Sequence, residues 1–311
     1  MKEWKGRPYH ALKVYLESRF GKPVKRIALD AGFTCPNRDG RISFGGCFYC
    51  GEEGARARYV RPELSVIDQL RERMTYWKNR GFEGYFLAYF QAYTNTYGDP
   101  EFLSSLYESV LLPGVVGVFI GTRPDCLGED VLDVLFRLAQ KTWVVVEVGV
   151  QTTNDATLRL INRGHDAGAS EKALRDLGKR HIDKVVHVIG GLPHEEKYHF
   201  LQTVKDVQQW GCEGIKFHHL FVEKNTVFAN WYEEGRLSLL SRETYIEWVA
   251  EALSFLDPGI VVHRLFGDCE KNKLIAPLWT LEKSQNIHLL ESWMRDKGIF
   301  QGREAISFSG D

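Results

Sequence analysis

The sequence predicts an α/β fold, a partial TIM-like barrel of six βα units, (β/α)6, on three observations. Short runs of β-branched and aromatic residues alternate with amphipathic stretches along most of the chain. No Pro- or Ser-rich linker interrupts the alternation. The 311 residues, 44% of them hydrophobic, suffice to bury one large core.

Each strand is predicted from an apolar run and each helix from a 3.6-residue period, several of them entered by caps such as Ser65, Asp99 and Ser241. The predicted strands are 26–31, 84–91, 115–121, 143–150, 184–190 and 214–220, with 260–266 as a candidate seventh. The predicted helices are 65–80, 99–111, 128–140, 153–162, 169–180, 195–210 and 241–256. We therefore divide the chain into a basic N-terminal arm (1–25), a barrel (26–266) and a C-terminal extension (267–311).

Composition narrows the class of protein. No apolar run reaches 18 residues, and the N-terminus lacks the apolar segment of a signal peptide, so we expect a cytoplasmic protein with no membrane contact. Of six cysteines, Cys35, Cys47 and Cys50 fall within sixteen positions. In a cytosolic chain such crowding favours a metal site over disulfides.

Charge is distributed unevenly although the net charge is only -1. Residues 1–61 carry 13 lysines and arginines against 6 acidic residues, a net charge of +7, and the remainder carries -8. A basic segment next to a metal site would attract a polyanion. The alternative, a solvated helical arm, has equal weight at this point.

The cysteine segment directly follows the first predicted strand, where barrel enzymes place their sites. Three thiolates bind three irons of a 4Fe-4S cluster and leave the fourth iron open to another ligand. Glycines at 40, 45 and 46 allow the tight backbone that a cluster loop needs. A zinc site, which needs a fourth ligand, and a redox pair of Cys47 and Cys50 remain as alternatives.

The segments Leu29-Asp-Ala-Gly-Phe-Thr-Cys-Pro-Asn-Arg-Asp-Gly40 and Gly45-Gly-Cys-Phe-Tyr-Cys50 resemble a branch of the radical S-adenosylmethionine (SAM) superfamily. The resemblance covers nearly the whole chain. This branch is similar to the radical SAM domain of the Elongator catalytic subunit and, more remotely, to oxygen-independent coproporphyrinogen oxidase. Eleven residues separate the first two cysteines, where the commonest spacing has three, and the longer loop resembles the Elongator type.

The resemblance implies cofactor contacts, residue by residue. Tyr49 would lie along the adenine of SAM. Gln91, Ala92 and Tyr93 occupy the position where relatives hold the methionine amino group with a Gly-rich motif, and this chain has no glycine there. The remaining implied contacts are Gln151 and Arg163, for the ribose and carboxylate, with Glu147 beside them in the barrel mouth. The segment from His187 to Pro193, which includes Gly190, would support the adenosine.

Several of these residues also have purely structural interpretations. Glu147 would pair with Arg123 or Arg163 in the barrel mouth. His218 and His219 face either substrate or the core, and Gly190 with Gly191 forms only a turn. The remaining cysteines, Cys126, Cys212 and Cys269, are interpreted as small buried hydrophobes.

The resemblance implies an enzyme that reductively cleaves SAM to a 5'-deoxyadenosyl radical, with a reducing partner such as flavodoxin or ferredoxin. It further implies tRNA as the substrate, at the C5 substituent of wobble uridine, of the carboxymethylaminomethyl to aminomethyl type. We do not expect Elongator's acetyl-CoA-dependent reaction, because the chain has no room for the acetyltransferase domain. Trp4, Tyr9 and Tyr15 lie among the cations of the arm, a pattern suited to RNA docking. Two alternatives remain: a tetrapyrrole-like small-molecule substrate, and a zinc-bound RNA adaptor without activity.

Overall fold

A computed structural model describes residues 4–54 and 56–304 and shows a curled, parallel sheet. Its strand order is β1-β2-β3-β4-β5-β6-β8, and each adjacent pair is parallel. A small antiparallel ladder joins β7 to β9. The bounds are β1 (Val24–Leu29), β2 (Tyr85–Phe90), β3 (Val115–Thr122), β4 (Trp143–Gln151), β5 (Asp183–Gly190), β6 (Gly214–His219), β7 (Val222–Glu223), β8 (Val261–Arg264) and β9 (Leu274–Ala276). The predicted fold is confirmed, and 260–266 does contain a seventh strand of the main sheet.

Helices pack on the outside of the sheet. Ser65, Asp99 and Ser241 each accept a hydrogen bond from the first turn, so the predicted caps are confirmed. The helices are α1 (Leu12–Phe20), α2 (Val66–Lys78), α3 (Pro100–Ser109), α4 (Glu129–Ala139), α5 (Asp155–Leu160), α6 (Ala167–Lys179), α7 (Lys197–Gln209), α8 (Val227–Glu233), α9 (Arg242–Phe255) and α10 (Lys283–Asp296). The sequence analysis did not predict α1, α8 or α10. No helix in the described ranges is long and apolar enough to cross a membrane.

Alternation along each strand separates the two faces of the sheet. On β4, Val144, Val146 and Val148 belong to the outer core, under the helices. Val145 belongs to an inner core with Phe119 of β3. Two residues further along the same inner face lies Glu147, which is 1% exposed. The inside of the barrel is therefore apolar toward the amino ends of the strands and charged toward their carboxyl ends.

The Glu147 carboxylate is the centre of a buried polar network. It accepts hydrogen bonds from the Lys216 ammonium and from the Tyr89 hydroxyl. Its Oε2 lies 3.2 Å from His187 Nε2, and its Oε1 lies 3.7 Å from Arg26 Nη1. Burial raises the carboxyl pKa, but Lys216, His187 and Arg26 outweigh burial and hold the pKa well below its ordinary value. The predicted pairing of Glu147 with Arg123 or Arg163 is therefore wrong.

The basic arm lies at the amino ends of the strands. Arg19 stacks over Trp143, the first residue of β4, at 4.4 Å from its ring centroid, and Tyr15 packs on the same ring. Lys25 lies 4.3 Å from the centroid of Trp77. We expected the arm to lie next to the cysteines, but β4 separates the two by about 26 Å at ~3.3 Å per residue.

The extension packs against both the arm and the barrel. Arg7 pairs with Glu291 of α10 at 2.6 Å, and the His10 amide donates to the Gln301 side chain at 2.8 Å. His219 points outward from β6 and donates through Nε2 to Thr280 at 2.8 Å, because its Nδ1 already accepts the Gly267 amide. Residues 1–3 of the arm and 305–311 of the extension lie outside the described residues.

We predict that Lys216→Met costs about 3–5 kcal/mol of unfolding free energy, because it leaves the Glu147 carboxylate buried without its main counter-charge. The double variant Glu147→Leu, Lys216→Met removes both charges and should lose less than the sum of the single variants. Urea denaturation of the wild type, the two single variants and the double variant measures this coupling. Additive losses would contradict the assignment of this pair.

Candidate active site

A cavity of about 220 Å³ opens at the carboxyl ends of the strands and contains most of the predicted site. All three clustered cysteines line it. The predicted cofactor residues that line it are Tyr49, Gln91, Tyr93, Glu147, Gln151, Arg163 and His187. We call this space the cluster cavity. Cys35 and Arg264, which are 229 positions apart in the chain, thus meet in one place, as residues at the carboxyl edge of a barrel are expected to do.

Ala92 and Gly190 do not line the cluster cavity, which corrects two predicted contacts. Ala92 is 1% exposed and lies after the end of β2 without lining the cavity. A Cβ atom on Gly190 would lie 3.2–3.3 Å from the rings of Tyr245 and Phe200 in the outer layer. His187 and Gly190 are three positions apart on one strand, so the alternation places only one of them inside.

The cysteine loop folds back on itself after β1. The amides of Arg38 and Asp39 donate to the Cys35 carbonyl, and the Arg38 guanidinium donates to the Cys50 carbonyl at 2.8 Å. Gly46 has φ +87°, and a Cβ there would lie 2.9 Å from Arg38 Nε, so the loop requires glycine. Cys47 is buried, while Cys35 and Cys50 are partly exposed to the cavity.

One guanidinium and one neutral amide donate hydrogen bonds to the Cys47 sulfur. Arg163 Nη1 lies 3.5 Å and Asn37 Nδ2 lies 3.6 Å from Sγ. Burial raises the pKa of Cys47, but Arg163 more than offsets it and the pKa lies below its ordinary value. Burial raises the pKa of Cys50. Across the described ranges, no three His, Cys, Asp or Glu side chains are placed to hold a single metal ion.

Two buried arginines have unsatisfied donors in the cavity wall. Arg123 is 3% exposed and donates through Nε and Nη2 to Asp125 at 2.9 and 2.8 Å, while its Nη1 has no partner among the described residues. Arg163 Nε is likewise unpaired there. Buried guanidinium groups need anionic acceptors. A cluster with thiolate ligands and the carboxylate of SAM meet this need, so the residues present fit both cofactors.

Close packing at the end of β4 explains why position 149 is a glycine. Gln151 has φ +74°, and β4 shifts register against β5 between Gly149 and Gln151. A Cβ on Gly149 would lie 2.8 Å from Arg163 Nη2 and 2.9 Å from Gln151 Nε2. The Gly149 carbonyl accepts a hydrogen bond from Arg163. Gly149 therefore lets two proposed SAM contacts converge.

The polar network around Glu147 forms the floor of the cluster cavity. Burial lowers the pKa of His187 to about 4, so His187 is neutral at pH 7. His218 lines the cavity, whereas His219 faces the outer layer. Sequence reasoning missed Lys216 and Arg264, although each lies within a predicted strand.

A partial parallel barrel with three cysteines around a cavity at its carboxyl edge defines a class of metal-cluster barrel enzymes. The profile of the Radical SAM superfamily matches residues 35–207, and that of the Radical_SAM C-terminal domain matches residues 212–296. The chain therefore belongs to the radical SAM superfamily. This membership decides between the cluster and zinc interpretations in favour of the cluster.

Relatives cover most of the chain. YtqA of Bacillus subtilis is 37% identical over 95% of this chain and 92% of its own, and YhcC of Escherichia coli K12 is 35% identical over 91% of each. Human Elongator complex protein 3 is 24% identical over 82% of this chain and 55% of its own. The structure of Elp3 from Methanocaldococcus infernus superimposes with a TM-score of 0.71 at 17% identity, over 89% of this chain and 64% of that chain.

The protein is an enzyme that uses a 4Fe-4S cluster and SAM. Together these cofactors, when bound and reduced by one electron, supply a 5'-deoxyadenosyl radical that removes a hydrogen atom from the substrate. We propose that Cys35, Cys47 and Cys50 hold the cluster, and that Arg163 and Gln151 orient SAM. The cavity floor and the apolar layer next to it exclude water from the side of the cavity that faces the amino ends of the strands.

We predict that Cys47→Ala abolishes 5'-deoxyadenosine formation and lowers bound iron, because the cluster loses one of its three proposed thiolate ligands. Cys212→Ala is the matched control, since Cys212 is buried in the outer core, and it should retain both. Iron analysis and product chromatography after anaerobic reconstitution measure the two properties. Full activity of Cys47→Ala would refute the ligand assignment.

We predict that Gly149→Ala raises the KM for SAM about tenfold, equivalent to ~1.4 kcal/mol, because the added methyl displaces Arg163 and Gln151. The cluster ligands are untouched, so iron content should stay at the wild-type level. Gly128→Ala is the control, because its Cβ would meet nothing within 4 Å. An unchanged KM in Gly149→Ala would show that these side chains do not orient SAM.

Proposed function

We propose that the enzyme acts on the C5 side chain of wobble uridine in tRNA, converting carboxymethylaminomethyl to aminomethyl with release of the two-carbon unit as glyoxylate. The 5'-deoxyadenosyl radical would take one hydrogen atom from the carboxymethyl CH2, the second electron would return to the cluster with loss of the amine proton, and water would hydrolyse the resulting imine, which breaks its C–N bond. SAM, which ends as methionine and 5'-deoxyadenosine, is then the net two-electron oxidant. The similarity to Elongator-type proteins is the observation that carries this proposal. Elongator complex protein 3 aligns with 82% of the chain, and the tRNA uridine(34) acetyltransferase of Dehalococcoides mccartyi aligns with 49% at 27% identity. This chain spans 55% and 33% of those two proteins, so their complete reactions are not transferred.

A second cavity next to the cluster cavity gives room for a nucleoside. It has a volume of about 550 Å³, in the usual range for ligand pockets, and shares Gly54, Gln91 and Arg264 with the cluster cavity. We call it the outer cavity. A nucleoside inserted there would lie next to the cluster cavity, in which the radical forms.

The exposed part of the cysteine loop is suited to contact RNA. Phe44 is 79% exposed and Ile42 is 45% exposed, while Arg41 between the cysteines is also exposed. An exposed aromatic ring stacks on unpaired bases, and a neighbouring arginine binds phosphate. This loop replaces the N-terminal arm as the proposed docking surface, because the arm lies at the other end of the barrel.

The proposal predicts that tRNA from a strain lacking the gene accumulates the carboxymethylaminomethyl nucleoside and loses aminomethyl derivatives. The reconstituted, reduced enzyme with SAM should convert that tRNA in vitro, and Cys47→Ala should not. Nucleoside mass spectrometry follows both experiments. Unchanged tRNA, together with 5'-deoxyadenosine formation stimulated by a small molecule, would favour the tetrapyrrole-like alternative.

A further inference from the structure

The outer cavity is the entrance to the cluster cavity, and one arginine stands where they meet. Arg264 ends β8 and lines both cavities. In the described part of the chain, its half-buried guanidinium has no hydrogen-bond or ion-pair partner. Arg58 and Lys224 also line the outer cavity, but both are exposed, and a solvated charge needs no partner.

Within the described ranges, no carboxylate lies within ion-pair distance of Arg264. The inner neighbours are Lys216, which is paired with Glu147, and the histidines His187 and His218. Burial, followed by the charge of Arg264, lowers the pKa of His218 well below its ordinary value, so this histidine stays neutral beside the arginine. The guanidinium therefore presents an unused positive charge to a ligand.

A negatively charged residue, Glu223, lies on another wall of the outer cavity. Glu223 ends β7, and its Oε1 accepts a hydrogen bond from Cys269 Sγ at 3.2 Å. Burial and this carboxylate raise the pKa of Cys269 to about 12, so the thiol stays neutral. Lys273 is held by Glu53 at 2.5 Å and Glu270 at 3.0 Å. No cation in the described ranges pairs with Glu223.

We infer that the outer cavity binds a zwitterionic substrate side chain, with Arg264 on its carboxylate and Glu223 on its protonated amine. Arg264 and Glu223, which are both half-buried and have no ion-pair partner in the described ranges, are complementary to such a group. The inference rests on the proposed function, because a carboxymethylaminomethyl side chain carries both a carboxylate and a secondary amine. Arg163 and Arg123 lie deeper, beside Cys47, and are left for SAM.

Equilibrium dialysis of the anaerobically reconstituted, SAM-loaded protein tests the inference with two free nucleosides. The probes are 5-carboxymethylaminomethyluridine and uncharged 5-methyluridine. The wild type should bind the zwitterionic nucleoside at least ~10-fold more tightly, as expected for charge-assisted hydrogen bonds. Arg264→Gln and Glu223→Gln should each remove most of this preference, and Arg264→Lys should restore part of it.

Arg175→Gln on α6 removes an exposed arginine far from both cavities and should keep the preference. The site is refuted if the wild type shows no preference, or if the preference survives Arg264→Gln. A parallel loss of SAM affinity in Arg264→Gln would assign this arginine to SAM and also overturn the inference.

Conversion of tRNA is measured on the same variants and separates this inference from the proposed function. If nucleoside binding depends on Arg264 but the wild type does not convert tRNA, the proposed reaction is wrong, while the inferred binding site stands. If tRNA is converted and its KM is unchanged in both Arg264→Gln and Glu223→Gln, the inferred binding site is wrong, while the proposed reaction stands. A KM raised about 10- to 100-fold, with little change in kcat, agrees with both.

Discussion

The buried carboxylate of Glu147 sets the shape of the whole barrel. Its partners come from β1, β2, β5 and β6, and Lys216 Nζ also lies 3.0 Å from the Tyr89 hydroxyl. In a flat sheet β2 and β6 would be about 19 Å apart, at ~4.8 Å per strand. A buried charge without partners is very costly, so the curled sheet is the arrangement that satisfies this carboxylate. The concave cavity is a consequence of that curl.

The candidate active site lies next to this network, at the following inward-facing position of each strand. Because side chains alternate, the next inward position after Tyr89 is Gln91, after Glu147 is Gly149, and after Lys216 is His218. All three line the cluster cavity, roughly 6–7 Å further along their strands. The ion network thus holds these positions in place while the βα loops add the thiols. A site that binds two cofactors needs a rigid base, which the Glu147 network provides, and variable loops, which the βα connections provide.

The strands were predictable because buried parallel strands appear in a sequence as continuous apolar runs. The cysteine trio was predictable because its spacing needs no knowledge of the fold. The partners of Glu147 were not, since they lie across the barrel and depend on its curl. Alternation applied strictly would have excluded Gly190 once His187 was placed inside, and would have included Lys216, two positions before His218. The helix α8 has only two turns and no clear apolar period, so sequence alone could not define it.

The position of the arm shows why a count of charges does not identify a binding surface. The short connection from α1 to β1 places the arm at the amino ends of the strands, where Arg19 and Lys25 stack on tryptophan rings. The apolar layer of Phe119 and Val145 closes the barrel above it. A radical formed in the cluster cavity is shielded from that side, so the substrate has to enter through the mouth. The cations that a substrate meets there come from the βα loops and strand ends, and their pairing, more than their number, determines what they bind.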